Sequence, residues 1–189
     1  MNEVSRYLEN ASLATASLDA ETVGKAADLC IESIKTGGTV FLCGNGGSAV
    51  DAQHLAGEFV GRFRLERKAL PAVALTANTA IITAVANDYD FTMIFARQIE
   101  ALGSSGDVLI AISTSGNSEN VLKGMEKARE KGMSTIGFTG ESGGAIEALA
   151  DICVKASSGL TSHVQEALLI AGHAICDAVE KAFADTEGN

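Results

Sequence analysis

The chain opens with two stretches, residues 2–16 and 20–36, in which apolar residues return every three or four positions. In the second, Val23, Ala26, Ala27, Cys30 and Ile34 form one stripe that ends at Gly37-Gly38, the period of a helix with one buried face. The pattern then changes. Thr39-Val40-Phe41-Leu42-Cys43 is a continuous apolar run closed by Gly44, as expected of a strand covered on both faces. Further short apolar runs lie at 72–76, 107–112, 134–139 and 151–154, separated by helical stretches near 48–63, 78–102, 118–132 and 144–149. A long helix is expected over about 160–185. This alternation predicts an α/β three-layer sandwich, a five-stranded parallel sheet with right-handed crossovers and helices on both faces. Ligands of such sheets bind beyond the carboxyl ends of the strands.

A length of 189 residues suits one domain, and no composition shift, repeat or low-complexity tract divides it. The expectation is therefore a single domain over 1–189, with N-terminal helices at about 2–36. Fourteen basic against 24 acidic residues leave a net charge of -10, which removes any global field for nucleic acid or an anionic membrane. An anionic ligand must be held locally. Cys30, Cys43, Cys153 and Cys176 are isolated among apolar residues without C-x-x-C spacing, which reads as buried reduced thiols. The first twenty residues carry acids and no apolar core, and no apolar run reaches membrane-spanning length. The expected location is the cytoplasm, with neither nucleic acid nor membrane as partner.

The chemistry gathers after the strands. Gly44-Asn45-Gly46-Gly47-Ser48 follows the first strand, and Ser113-Thr114-Ser115-Gly116-Asn117-Ser118 follows the third. Each leads into a helix whose first N–H groups are free, so main chain and hydroxyls can converge on a phosphate without a cluster of lysines. One such turn is ordinarily a helix cap; two at the same sheet edge are harder to explain that way. Gly44-x-Gly46-x-x-Ala49 also fits a loose dinucleotide fingerprint, but Leu75-Thr76-Ala77-Asn78 offers no acid for ribose hydroxyls, and no P-loop motif is present.

Two helical signatures complete the set. His54 and Glu58 are four residues apart and share a helix face, and Gln165 and His173 do so, with some drift, over two turns. Together they outline a metal or acid-base constellation. Taken singly, a half-buried histidine or a solvated helix carboxylate is the plainer reading. Glu58, however, lies among Leu55, Ala56, Phe59 and Val60, a setting suited to a base working near neutrality. His163 has no obvious ligand-type partner and reads as surface or rim, while Asn87-Asp88 reads as a helix end or as a pair bonding sugar hydroxyls.

These segments jointly resemble the phosphoheptose isomerases, single sugar-isomerase (SIS) domains. The resemblance rests on Gly44 to Ser48, on D-A-Q-H-L-A-G-E-F from Asp51 to Phe59, on Arg62, Asn87-Asp88 and S-T-S-G-N-S from Ser113, and on Q-E with a histidine eight residues after the glutamine. It implies conversion of sedoheptulose 7-phosphate to D-glycero-D-manno-heptose 7-phosphate, toward the activated heptose of bacterial surface lipopolysaccharide. It also implies one zinc per subunit, held by His54, Glu58, Gln165 and His173, in a homotetramer with active sites at subunit interfaces. Asn45, Gly46, Gly47, Ser48, Ser113, Thr114, Ser115 and Ser118 fall on substrate and phosphate contacts, with Asn87, Asp88 and Gln165 beside the sugar. Where the family commonly reads Arg-Ile-Gln-Glu, this chain reads His163-Val164-Gln165-Glu166, which removes an arginine contact at position 163.

Isomerisation through an enediol needs a base at carbon and an acid-base partner at the oxygens, roles that fall to Glu58 and His173. A carboxylate bonded to zinc is a weaker base, so Glu58 is expected to leave the metal during turnover. The two halves of the set lie more than a hundred residues apart and are expected to meet across a subunit boundary. A rival reading keeps the fold but not the reaction. Replication-initiator-associating proteins share the two turns and bind a partner protein, yet lack the acid and the histidine that this chain carries at Glu58 and His173. A sugar-phosphate sensor would bind without turnover.

Overall fold

A computed structural model of the chain describes residues 2–184. Its elements are, in order, α1 (Glu3–Ala16), α2 (Ala20–Lys35), β1 (Val40–Gly44), α3 (Gly47–Val60), β2 (Ala72–Ala74), α4 (Thr79–Asp88), a 3-10 turn (Phe91–Met93), α5 (Ala96–Leu102), β3 (Val108–Ile112), α6 (Glu119–Glu130), β4 (Ser134–Gly140), α7 (Ala145–Leu149), β5 (Ile152–Ala156) and α8 (Thr161–Phe183). The strands pair in parallel in the order β2-β1-β3-β4-β5. The five-stranded parallel sheet and its flanking helices are thus those expected. Position 185, the expected end of the last helix, lies outside the described residues.

Side-chain alternation explains why the central strands read as unbroken apolar runs. Val40, Leu42, Val108, Ile110 and Ile112 enter one core with the buried faces of α2, α3 and α8. Phe41, Cys43, Leu109 and Ala111 enter a second core with α5, α6 and α7. In β1 and β3 each residue from Val40 to Cys43 and from Val108 to Ile112 belongs to one core or the other, so none of these is polar. The helix starts are set by short polar side chains that accept from free N–H groups. Asn2 accepts from Ser5, Asp19 from Glu21 and Thr22, and Asn78 from Ile81.

One expected helix is not continuous. The stretch 78–102 breaks at Tyr89-Asp90, where the Asp90 carboxylate accepts from the Thr92 N–H at 2.8 Å and starts the 3-10 turn. A local acceptor has won over helical periodicity. The four cysteines are free; burial pushes the Cys30, Cys43 and Cys176 thiols up to about 12, which keeps them protonated. Among the described residues, no helix is long and apolar enough to cross a membrane.

Strand order reverses direction between β1 and β3, the place where doubly wound sheets open a crevice. Gly44 is opposite Ile112 in the ladder, so the two chemically loaded turns leave the sheet side by side and at the same level.

Candidate active site

The two turns are tied together by a reciprocal amide pair. Asn45 Nδ2 donates to Asn120 Oδ1, and Asn120 Nδ2 donates to Asn45 Oδ1, both at 2.8 Å. Asn120 is buried in α6, so its partner fixes the first turn against the helix that follows the second. Gly46, at φ 55°, begins α3 in a conformation that a side chain would strain, and no side chain caps the helix there. The first N–H groups of α3 therefore remain available to a ligand.

The second turn is built from hydroxyls. Ser113 Oγ donates to Ser118 Oγ at 3.0 Å and lies 3.4 Å from Ser115 Oγ. Ser118 occupies the N-cap of α6 without capping it, its hydroxyl being turned to Ser113. Thr114 and Ser115 line a cleft of about 300 Å³ whose other walls include Ser142, Ser158 and Thr161. Those last three follow β4 and β5, and sequence reasoning missed them. The rule that ligands gather at carboxyl ends applied to those strands as well, but their loops carry no recognisable motif.

The second constellation forms where α3 and α8 pack. A Cβ on Gly172 would lie 2.6 Å from Leu55 Cδ1, so only glycine lets the helices approach this closely, one residue before His173. His54 Nε2 and His173 Nε2 are 2.8 Å apart, and Glu58 Oε1 is 3.5 Å from His54 Nε2. Ligand atoms of the three residues all lie within 4.8 Å of one another. Two ring nitrogens facing at hydrogen-bond distance can share a proton or bind one cation. Two imidazoles and a carboxylate are the donor set of a catalytic zinc site with an open position, so the residues fit such an ion. The Phe63 ring stacks on His173, with centroids 5.5 Å apart.

This corrects one expectation. His54 and His173 are 119 residues apart in sequence but meet within one chain, because α3 and α8 are direct neighbours on the same face of the sheet. Gln165, two turns before His173, places its amide where a Cβ on Gly47 would be, beside Asp51. Asp51 is a residue that sequence reasoning did not single out, although it lies three before His54 on the same face. Burial pushes its carboxyl above the ordinary range, against the pull of the Gln165 amide and of His54 and His173.

His163 is neither surface nor rim. It is 1% exposed, its ring meets Tyr7 edge to face at 4.3 Å, and its Nδ1 lies 3.3 Å from Ser158 Oγ. Packing of α1 over the start of α8 buries it, and Tyr7 seals that contact by donating to Glu166 Oε1. Asn87 and Asp88 close α4, exposed, with Asn87 Nδ2 donating to Asp88 Oδ1 at 2.8 Å.

Residues 2–140 match the SIS domain family. The phosphoheptose isomerase of Burkholderia pseudomallei (strain 1710b) is 54% identical over 159 residues, which cover 84% of this chain and 81% of that protein. The chain belongs to the phosphoheptose isomerases of the SIS domain family. Solved members of that family agree in three dimensions. The phosphoheptose isomerase of Francisella tularensis superposes with a TM-score of 0.90 at 38% identity, covering 95% of this chain and 97% of that one. The corresponding values for the Neisseria gonorrhoeae phosphoheptose isomerase are 0.87 and 38%, over 94% and 96%.

Proposed function

We propose that the protein interconverts sedoheptulose 7-phosphate and D-glycero-D-manno-heptose 7-phosphate. The observation that carries this reading is the convergence of His54, Glu58 and His173 within 4.8 Å, on the same α3 that begins at the glycine turn. An SIS protein that only binds a partner needs no such acid-base set.

In this mechanism the phosphate is held by the hydroxyls of Ser113, Thr114, Ser115 and Ser118. Ser48 and the open N–H groups after Asn45, Gly46 and Gly47 add to that hold, with no lysine required. Asn87 and Asp88 bond sugar hydroxyls. Glu58 takes a proton from C1 of the ketose while His173 protonates the C2 oxygen, which gives the enediol. His173 then accepts the C1 hydroxyl proton, and Glu58 returns its proton to C2, which gives the aldose. His54, Glu58, Gln165 and His173 would hold a zinc ion, which would supply Lewis-acid polarisation at the substrate oxygens, with Glu58 released from it when it acts as base.

The reading includes a homotetramer with active sites near subunit boundaries, supported by unpartnered apolar surface. α4 buries none of its residues, with Ile81 exposed, and α1 exposes Val4, Leu8 and Leu13. It also places the whole chain, as one SIS domain, in the cytoplasm at the first step toward activated heptose. The test is to mix purified protein with sedoheptulose 7-phosphate and follow aldose formation, with and without a chelator. Turnover that the chelator abolishes supports enzyme and metal together. Binding without turnover, whatever metal is added, would leave a sensor, and neither binding nor turnover would leave a partner-binding protein.

A further inference from the structure

Glu180 is the most completely enclosed acid of the described residues, with 1% of its side chain exposed. It lies on α8 two turns beyond His173, hence on the same stripe of that helix. Three successive backbone N–H groups, those of Phe63, Arg64 and Leu65, donate to its carboxylate at 2.8, 2.6 and 2.8 Å. Arg67, equally buried, brings its Nε to 3.6 Å from Glu180 Oε1. That Nε has no hydrogen-bond partner, its distance to Oε1 being longer than a hydrogen bond. The rest of the guanidinium grips the end of α3. Nη2 donates to the Glu58 carbonyl at 2.7 Å, and Nη1 donates to the carbonyls of Gly61 and Lys68 at 3.0 and 3.1 Å.

The placement of these contacts is the informative part. Arg67 holds the backbone of Glu58, and the Phe63 whose N–H is fixed by Glu180 is the Phe63 whose ring stacks on His173. One buried charge pair thus reaches two of the three converging donors, one through its main chain and one through its ring. A buried pair of this kind is a weak source of net stability, since desolvation offsets most of the attraction. Its cost is better explained by what it positions.

We propose that Glu180 and Arg67 are positioning residues that fix the α3 to α8 register, so that Glu58 and His173 present their donor atoms to a common point. The proposal rests on the reading of His54, Glu58 and His173 as a metal-holding acid-base centre. Neither residue touches the reacting atoms; they act through Glu58 and Phe63.

The test uses the full chain and zinc alone, titrated in competition with a chromophoric chelator, beside steady-state kinetics. Glu180→Gln keeps the shape of the side chain but turns an NH2 group toward N–H donors. It is expected to weaken zinc binding roughly tenfold or more, the range for residues that support metal ligands. kcat falls with it, whereas KM for the sugar phosphate moves less than twofold because the serine turn is untouched. Phe63→Leu keeps all three backbone N–H groups and removes only the ring, and is expected to weaken zinc binding by a smaller factor in the same direction. Wild-type zinc affinity and kcat in folded Glu180→Gln protein would overturn the proposal. Should Glu180→Gln not fold, Phe63→Leu decides, and wild-type zinc binding there overturns the link to His173. Failure of the wild-type chain itself to bind zinc would refute the metal reading instead.

Discussion

At the serine turn after β3, the polar groups bond mainly to one another and face an open cleft; at the α3 to α8 contact, His173 and Glu58 are braced by groups outside the set. Ser113, Ser115 and Ser118 are held by hydroxyl contacts of 3.0 and 3.4 Å, geometries that a ligand can replace with its own oxygens. His173 is stacked on Phe63, and the Glu58 backbone is tied to a buried arginine. The difference follows from the task of each region. Anion recognition by neutral donors tolerates adjustment, because a helix dipole and several hydroxyls share the charge. Proton transfer does not, because base and carbon must meet within hydrogen-bond reach.

The sharpest way to break this contrast is Glu58→Gln. Loss of a general base is expected to lower kcat by roughly 10²- to 10⁴-fold, with the circular dichroism spectrum and KM little changed. Near-normal turnover would remove Glu58 as the base. Gly172→Ala attacks the packing instead of the chemistry, since the added methyl meets Leu55. Overpacking there is expected to destabilise the fold by about 1–3 kcal/mol and to disturb the His54 to His173 approach, measurable by thermal melting and zinc titration. Ser115→Ala belongs to the yielding side. It is expected to raise KM about tenfold, or about 1.4 kcal/mol, while kcat holds. A fall in kcat with unchanged KM would show that the turn, too, sets reaction geometry.

The smallest effect is a pH dependence. Burial pushes the Glu180 carboxyl up, but the N–H groups of Leu65, Arg64 and Phe63, together with Arg67, outweigh it and hold it below its ordinary value of 4.5. A lowered folded-state pKa contributes stability that is fully present above pH 4.5 and is lost as the pH falls toward the folded value. Denaturant unfolding below pH 4.5 is expected to show this loss in the wild type and a flatter profile in Glu180→Gln.

Much of the fold was legible because its strands are short and covered on both faces, so Val40 to Gly44 and Val108 to Ile112 are apolar at every position. The break at Asp90 was not, since a single side-chain acceptor interrupts a periodicity that continues on either side. In the site, the motifs could be listed from the sequence as groups, but their spatial relations were not readable. The meeting of His54 with His173 depends on which helices share a face, and the burial of His163 depends on α1 folding over α8. Asp51 shows a third kind of silence. An acid one turn from a histidine looks like any solvated helix residue until Gln165 is found beside it.

α3 carries the glycine turn at one end and Glu58 near the other, so the separation between the two is a matter of counting residues. Each residue adds about 1.5 Å of rise and about 100° of rotation. The helix is therefore a gauge of fixed length, and a one-residue insertion between Ser48 and His54 would swing both His54 and Glu58 away from His173.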